Sequence, residues 1–180
     1  SVITGAPFSG QSRLCATARS PSTGLVGDSQ AGGFWPAELK ATGFDGIVIH
    51  GQAERPVYLW VHDGEAQLRD AAHLWGRFTA DVDDAIRAEL GDRRIHVLQC
   101  GPANGRTGMG TVMAAKKLKA VAVRGGQRPA LADPEAVRAL ARWGAEHFES
   151  SDIYGMGLLG TAEVLLPKNK RGGLPTRNWA

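Results

Sequence analysis

The apolar positions change their period along the chain, and the change divides it in two. Leu14 to Arg19 reads as a short strand, followed by a turn at Ser20-Pro21-Ser22-Thr23-Gly24, where proline presets φ and glycine is free to take a positive one. Gly46 to His50 reads as a buried strand and Val57 to His62 as another. Asp63-Gly64 then joins Val57–His62 to Gln67-Leu68-Arg69-Asp70, a hairpin signal because both central positions of a type I′ turn need φ > 0. Thr79 to Leu90 reads as a helix: Val82, Ile86 and Leu90 recur every four residues, and Asp81, Asp83 and Asp84 lie near its start, where negative charge suits the dipole. Ile95 to Cys100 is a strand, Gly105 to Gly110 a glycine-rich loop opening a short helix through Lys117, and Lys119 to Arg124 a further strand.

Gly125-Gly126-Gln127-Arg128-Pro129 interrupts this order. Beyond it Asp133 is an N-cap, Pro134 fits the first helical position and Glu135 the first turn. A helical period follows from Ala136 to Ser150 through Val137, Leu140, Ala141, Ala145 and Phe148. Strands dominate before the interruption and helix after it. The expectation is an α+β fold, with a β-rich domain over residues 1–128 and the start of a helical domain over 129–180.

Composition narrows the function classes. With 180 residues, 43% hydrophobic and 22% charged, the chain has the make-up of an ordinary soluble protein. Its longest apolar runs, Gly46–Ile49 and Ala120–Val123, are far too short to span a bilayer. Ser1-Val2-Ile3-Thr4-Gly5 shows no basic region followed by an apolar one, and it starts in mid-strand, as an excised chain would. Lys and Arg number 21 against 18 acidic residues. The excess is scattered rather than gathered beside stacking aromatics, which argues against nucleic-acid binding. Cys15 and Cys100 are far apart and read as small buried strand residues; they suit a reducing, cytoplasmic setting and cannot by themselves hold a tetrahedral metal or an iron–sulfur cluster.

Three segments could carry chemistry. Gly105-Arg106-Thr107-Gly108-Met109-Gly110 combines accessible glycine backbone, a following helix start and a planar guanidinium, which suits phosphate. A glycine-rich packing turn with an exposed Arg is the competing reading, and neither a Walker A loop nor a dinucleotide fingerprint fits. Asp28-Ser29-Gln30-Ala31-Gly32-Gly33 leads into Phe34-Trp35-Pro36. That pattern reads either as a bend with accessible backbone or as a structural bend with both aromatics in the core. Arg13 precedes a strand and, taken alone, reads as a surface ion-pair partner. The five histidines have no metal spacing, with His50 and His96 on expected strands, and no Ser/His/Asp set or acid pair can be argued.

Read together, the motifs form an ordered series: S-P-S-T-G at Ser20–Gly24, A-G-G-F-W at Ala31–Trp35, A-E-L-K at Ala37–Lys40 and G-F-D-G-I-V-I-H-G at Gly43–Gly51. A-E-R-P-V-Y-L at Ala53–Leu59, L-R-D-A-A-H-L-W-G at Leu68–Gly76 and G-R-T-G-M-G-T-V-M-A-A-K-K-L-K-A-V-A-V-R-G at Gly105–Gly125 continue it, with G-T-A at Gly160–Ala162 and L-P-T-R-N-W at Leu174–Trp179. This series resembles the tungsten-containing aldehyde:ferredoxin oxidoreductase family, in its pterin-binding N-terminal domain and the beginning of its helical domain. The resemblance implies enzymes that oxidise aldehydes to carboxylic acids at a tungsten, or molybdenum, held between two pyranopterins, with electrons passing through a [4Fe–4S] cluster to ferredoxin or a partner subunit. It carries no implication of nucleic-acid or membrane partners, and leaves homo- or hetero-oligomeric assembly open.

Carried over by motif, Arg13 matches an arginine between pterin and cluster. Gln30, Gly32 and Gly33 match a turn that contacts a pterin and its phosphate-bound Mg2+, with Gln30 as the metal's oxygen ligand. Ala103, Gly105 and Arg106 match the loop that holds the second pterin's phosphate. The chain departs from the pattern at Gln30, where the family has Asn. The cluster cysteines and the catalytic acid/base groups belong to the part of the family pattern beyond L-P-T-R-N-W, so no catalytic residue is assigned. Two joints, at Ala6–Pro7 and Ala103–Asn104, are shorter than in the family; omitted loops are the expectation there. The alternative to the enzyme is a non-catalytic, pterin-binding-like scaffold or assembly subunit.

Overall fold

The computed structural model describes residues 3–100 and 108–174. It divides into two compact units, residues 1–132 and 133–180. The first holds two sheets. Strands β1 (Arg13–Arg19) and β2 (Val26–Gly32) form an antiparallel ribbon. Its connection closes as the turn signals require: Gly24 takes φ +72°, and the Ser20 N–H donates to the Leu25 carbonyl at 2.8 Å.

The larger sheet has four strands in the order β4–β3–β6–β5, with β3 at Val57–His62, β4 at Glu65–Asp70, β5 at His96–Gln99 and β6 at Leu118–Arg124. The Asp63-Gly64 hairpin forms as expected, with φ +42° and +84° at its two central residues. β3 and β6 run parallel while β5 and β6 run antiparallel, so β6 is paired along both edges and nearly all of it is buried.

Each face of this sheet is covered. On one side Tyr58, Trp60, Ala120 and Ala122 pack with Leu74, Ile95 and the Val82 and Ile86 face of helix α2 (Thr79–Leu90). The four-residue spacing of Val82 and Ile86 produces that stripe, and Gly91 at φ +71° ends the helix. On the other side Val61, Leu118, Val121 and Val123 meet Leu39 of α1 (Trp35–Ala41), Phe44, Ile47, and Met113 of α3 (Met109–Ala115). Tyr58 is fully buried and its hydroxyl donates to Glu89 at 2.8 Å. Burial first, then that carboxylate, pushes its pKa up to about 12, so it remains a neutral phenol.

Two expectations fail here. Gly46–His50 is not a buried strand: it pairs with no strand among the described residues, and Val48 is 81% exposed. β3 has β4 on one edge and β6 on the other, so the segment cannot add beside the strand that follows it, and only its Ile47 packs against the core cluster. Cys15 is exposed rather than buried, because strand alternation turns Leu14, Ala16 and Ala18 inward and Arg13, Cys15, Thr17 and Arg19 outward. Cys100 is buried as expected. His50 is likewise exposed and outside any strand, whereas His96 lies half-buried on β5.

The second unit opens with α4 (Pro134–Glu146). The Asp133 side chain accepts from the backbone N–H groups of Glu135 and Ala136, at 3.0 and 2.9 Å, which is the cap the sequence announces. The helix stops at Glu146, short of Ser150, and Phe148 meets Tyr154 edge-on at 5.7 Å. Helices α5 (Tyr154–Leu159) and α6 (Leu165–Lys170) follow, joined by a 3₁₀ segment. Strand-rich and helical parts together make the fold α+β. Among the described residues no helix is long and apolar enough to cross a membrane.

Candidate functional site

The β1–β2 ribbon brings several of the sequence-derived candidates together. Arg13 stands opposite Gly32, Cys15 opposite Gln30 and Thr17 opposite Asp28. Directly opposed residues of an antiparallel pair project to the same side. Arg13, Gln30 and Gly32 therefore share the outward face, with Arg13 and Gly32 at the end remote from the turn. Gly33 follows immediately at φ +110°, a conformation that L side chains avoid, and apart from its chain neighbours no atom of the described residues lies within 4 Å of where a Cβ would stand. Its carbonyl accepts from the Ser12 hydroxyl at 2.5 Å, which ties the bend to the residue before Arg13.

Ala103, Gly105 and Arg106 lie outside the described residues. Gly108, where description resumes, takes φ +77°, and a Cβ there would stand 2.7 Å from Pro21 Cγ. The start of α3 thus lies against the turn end of the ribbon. Between β1, α1 and α3 is a cavity of about 420 Å³. Its wall is mostly apolar, from Trp35, Leu39, Phe44, Ile47 and Met113, with Arg13 also on its lining. Lys40 pairs with Asp45 there, and that hydrogen bond holds the Asp45 carboxyl below its ordinary range.

Sequence reasoning missed the groups that hold this region in place. Phe34 is 78% exposed and stacks on His96, with ring centroids 5.7 Å apart, whereas Trp35 is half-buried and its indole N–H donates to the Val121 carbonyl at 2.9 Å. Only one of the aromatic pair joins the core. Three residues on, Glu38 accepts from Arg124 at 2.7 Å and from the Gly125 backbone N–H at 3.0 Å. Arg124 also donates to Asp92 at 2.9 Å. α1 begins directly after the Gly32-Gly33 bend, so these bonds fix the bend to the buried strand β6. The available signal was an acidic residue in a first helical turn and an Arg closing a strand, but nothing in the sequence pairs the two.

Two outcomes follow from this network. Glu38→Ala removes the acceptor of Gly125 and one carboxylate partner of Arg124, and both side chains are less than a quarter exposed. The expected cost is about 2–3 kcal/mol, read from the urea midpoint, with Glu38→Gln milder because it retains an acceptor. A loss below about 1 kcal/mol would mean the bonds do not hold α1. Asp92 accepts from the Arg94 side chain and backbone and from Arg124, which keeps its carboxyl well below the usual range. A carboxyl lowered on folding stabilises the fold above its unfolded value of about 3.9, and that contribution disappears as pH falls through the lower folded value. Asp92→Asn should therefore flatten melting temperature against pH only below about pH 4; an unchanged acid limb would assign it to other groups.

Known proteins similar to this chain include members of one family. The model of the aldehyde ferredoxin oxidoreductase N-terminal domain matches residues 1–104. The tungsten-containing aldehyde ferredoxin oxidoreductase of Thermococcus kodakarensis is 36% identical over 202 aligned residues, covering 99% of this chain and 33% of its own. That alignment is longer than the 180-residue chain, so the relative carries residues that this chain lacks. The WOR-like subunit of an aliphatic sulfonate oxidoreductase from Pyrococcus furiosus is 31% identical, covering 88% of this chain and 30% of its own. Among solved structures, the active-site complex BamBC of benzoyl coenzyme A reductase, with bound 1,5-dienoyl-CoA, superposes with a TM-score of 0.78 at 32% identity over 82% of this chain and 25% of that one. The chain spans about a third of the length of the curated relatives it matches. Matched by that family model over residues 1–104 and by a relative 36% identical across 99% of its length, the chain belongs to the aldehyde ferredoxin oxidoreductase family.

Proposed function

We propose that this chain supplies the base for a tungsten, or molybdenum, bis-pyranopterin in an oxidoreductase that converts aldehydes to carboxylic acids. Electrons would leave through a [4Fe–4S] cluster, bound by residues outside this chain, to ferredoxin or an electron-transfer subunit. The observation that carries this reading is the shared outward face of Arg13, Gln30 and Gly32, continued by the open bend at Gly33. The nature of the relatives supports it: proteins named for tungsten and for aldehyde match almost the whole chain.

The donor set suits a phosphate-bearing, polycyclic ligand. Arg13 offers a planar fork of N–H groups, and Gly33 leaves backbone uncovered where a ligand can approach. Among the described residues no group of three or more His, Cys, Asp or Glu could hold a metal ion. A Mg2+ here would be held by the Gln30 amide oxygen together with oxygens from phosphate and water, the hard oxygen ligands it prefers. Ala103, Gly105 and Arg106 would hold the second pterin's phosphate through backbone N–H groups and a guanidinium. When bound, the group would supply the sink for the two electrons released as an aldehyde and water become a carboxylic acid and two protons. The chain's own task is to seat and orient it.

The test is metal and pterin analysis of the protein at its natural length, beside aldehyde-dependent reduction of ferredoxin or a viologen dye. Stoichiometric tungsten or molybdenum with two pterins per metal, and dye reduction by an aldehyde, are the expected results. Protein free of metal and pterin after expression with tungstate and molybdate would refute the reading and favour a scaffold subunit.

A further inference from the structure

Lys119 is an unusual residue for the middle of a sheet. It is the extra residue of β6 where the register with β3 shifts, since Val57 pairs with Leu118 and Tyr58 with Ala120. Lysine is almost never fully buried unless paired. Lys119 is 4% exposed, and its ammonium donates to two backbone carbonyls, of Arg77 at 3.1 Å and Cys100 at 3.2 Å. No Asp or Glu among the described residues forms an ion pair with it. The seven residues that follow Cys100, Gly-Pro-Ala-Asn-Gly-Arg-Thr, include no acid either. A buried cation with carbonyl oxygens but no counter-charge among the described residues calls for an anion from elsewhere.

A second group beside it is also incomplete. Gln99, one residue before Cys100, donates its amide N–H to the Thr79 carbonyl at 2.8 Å. That bond fixes which way the amide points, and its Oε1 is buried with no partner among the described residues. The carbonyls these two side chains engage, Arg77 and Thr79, are two residues apart at the start of α2. One small region thus contains an ammonium with a third N–H to offer and an amide oxygen that needs a donor. A phosphate monoester supplies both, with anionic oxygens for the ammonium and, because its second pKa is near 6, a P–O–H in its monoprotonated form.

We infer that Lys119, with Gln99, is a positioning residue for a phosphate group of the bound pterin, meeting it as a buried point charge at the end of β5. This rests on the functional reading above, extends it to two residues that no motif flagged, and assigns the missing counter-charge to the ligand. The competing explanation is a structural water bridging the two groups.

The experiment compares natural-length enzyme with Lys119→Met, Lys119→Arg and Gln99→Leu, measuring pterin and tungsten retained during dialysis with and without pyrophosphate as competitor, and the melting temperature of each cofactor-free form. Wild-type protein without pterin would refute the functional reading itself. With wild-type protein loaded, Lys119→Met is expected to release pterin and metal at least about tenfold faster. Lys119→Arg is expected to be restored in large part, Gln99→Leu to be impaired severalfold, and pyrophosphate to hasten release from wild type but not from Lys119→Met. If Lys119→Met does not fold, wild-type-like retention in both other variants overturns the inference. Retention by a folded Lys119→Met equal to wild type, with the same response to pyrophosphate, also overturns it and leaves a bridging water.

Discussion

Gly125→Ala is expected to destabilise the first unit by about 3 kcal/mol or more, the upper end of what overpacking costs. Gly125 is buried just past the end of β6, and a Cβ there would stand 2.1 Å from the carbonyl carbon of Ala41 and 2.3 Å from the nitrogen of Thr42. Both are backbone atoms, so no rotamer change relieves the clash. The end of α1 would have to withdraw from the sheet, breaking the bond from the Gln127 N–H to the Ala41 carbonyl and that from the Gly125 N–H to Glu38. Gly126→Ala is the matched control, because its nearest neighbour would be the Asp63 carboxylate at 3.9 Å. Urea unfolding of the two variants reads the difference. Equal midpoints would show that α1 does not press on β6 as described.

Arg106→Ala is expected to cost at least about tenfold in cofactor retention while leaving the fold intact. A guanidinium binds phosphate through two parallel N–H groups, and each charge-assisted bond contributes about 1.5–3 kcal/mol. Arg106→Lys should retain part of the binding, since an ammonium keeps the charge without the fork. The measurement is pterin and metal content per protomer in natural-length protein, with a thermal melt of the cofactor-free form. Full occupancy in Arg106→Ala would remove it from the site, and a collapsed melt would make it a structural residue instead.

Legibility in the sequence followed the range of each interaction. The Asp63-Gly64 hairpin, the Thr79–Leu90 helix and the Asp133 cap depend on residues within a few positions of one another, and all three appear where expected. Gly46–His50 has an apolar run worthy of a strand, but a strand needs a partner, and both edges of the following strand β3 are taken by β4 and β6. Val26–Gly32 shows the converse: two glycines, a serine and an aspartate suggest a loop, yet pairing with β1 makes it a strand. The ribbon's outward face was legible only through motif resemblance, since opposing Arg13 to Gly32 requires the register. The ties of Glu38 to Arg124 and of Lys119 to Cys100 join residues whose separation in sequence leaves no periodic trace.

The pairing of β3 with β6 also bears on how the protein is made. β3 can close its hairpin with β4 as soon as eight more residues emerge, but its other neighbour starts at Leu118, 61 residues after Val57. At translation rates of about 5–20 residues per second, that leaves an open edge carrying Leu59 and Val61 for about 3–12 s on the ribosome. An unsatisfied, apolar strand edge is a template for wrong partners. Slower synthesis across residues 70–118 should therefore lower the soluble yield of this protein, whatever its final stability.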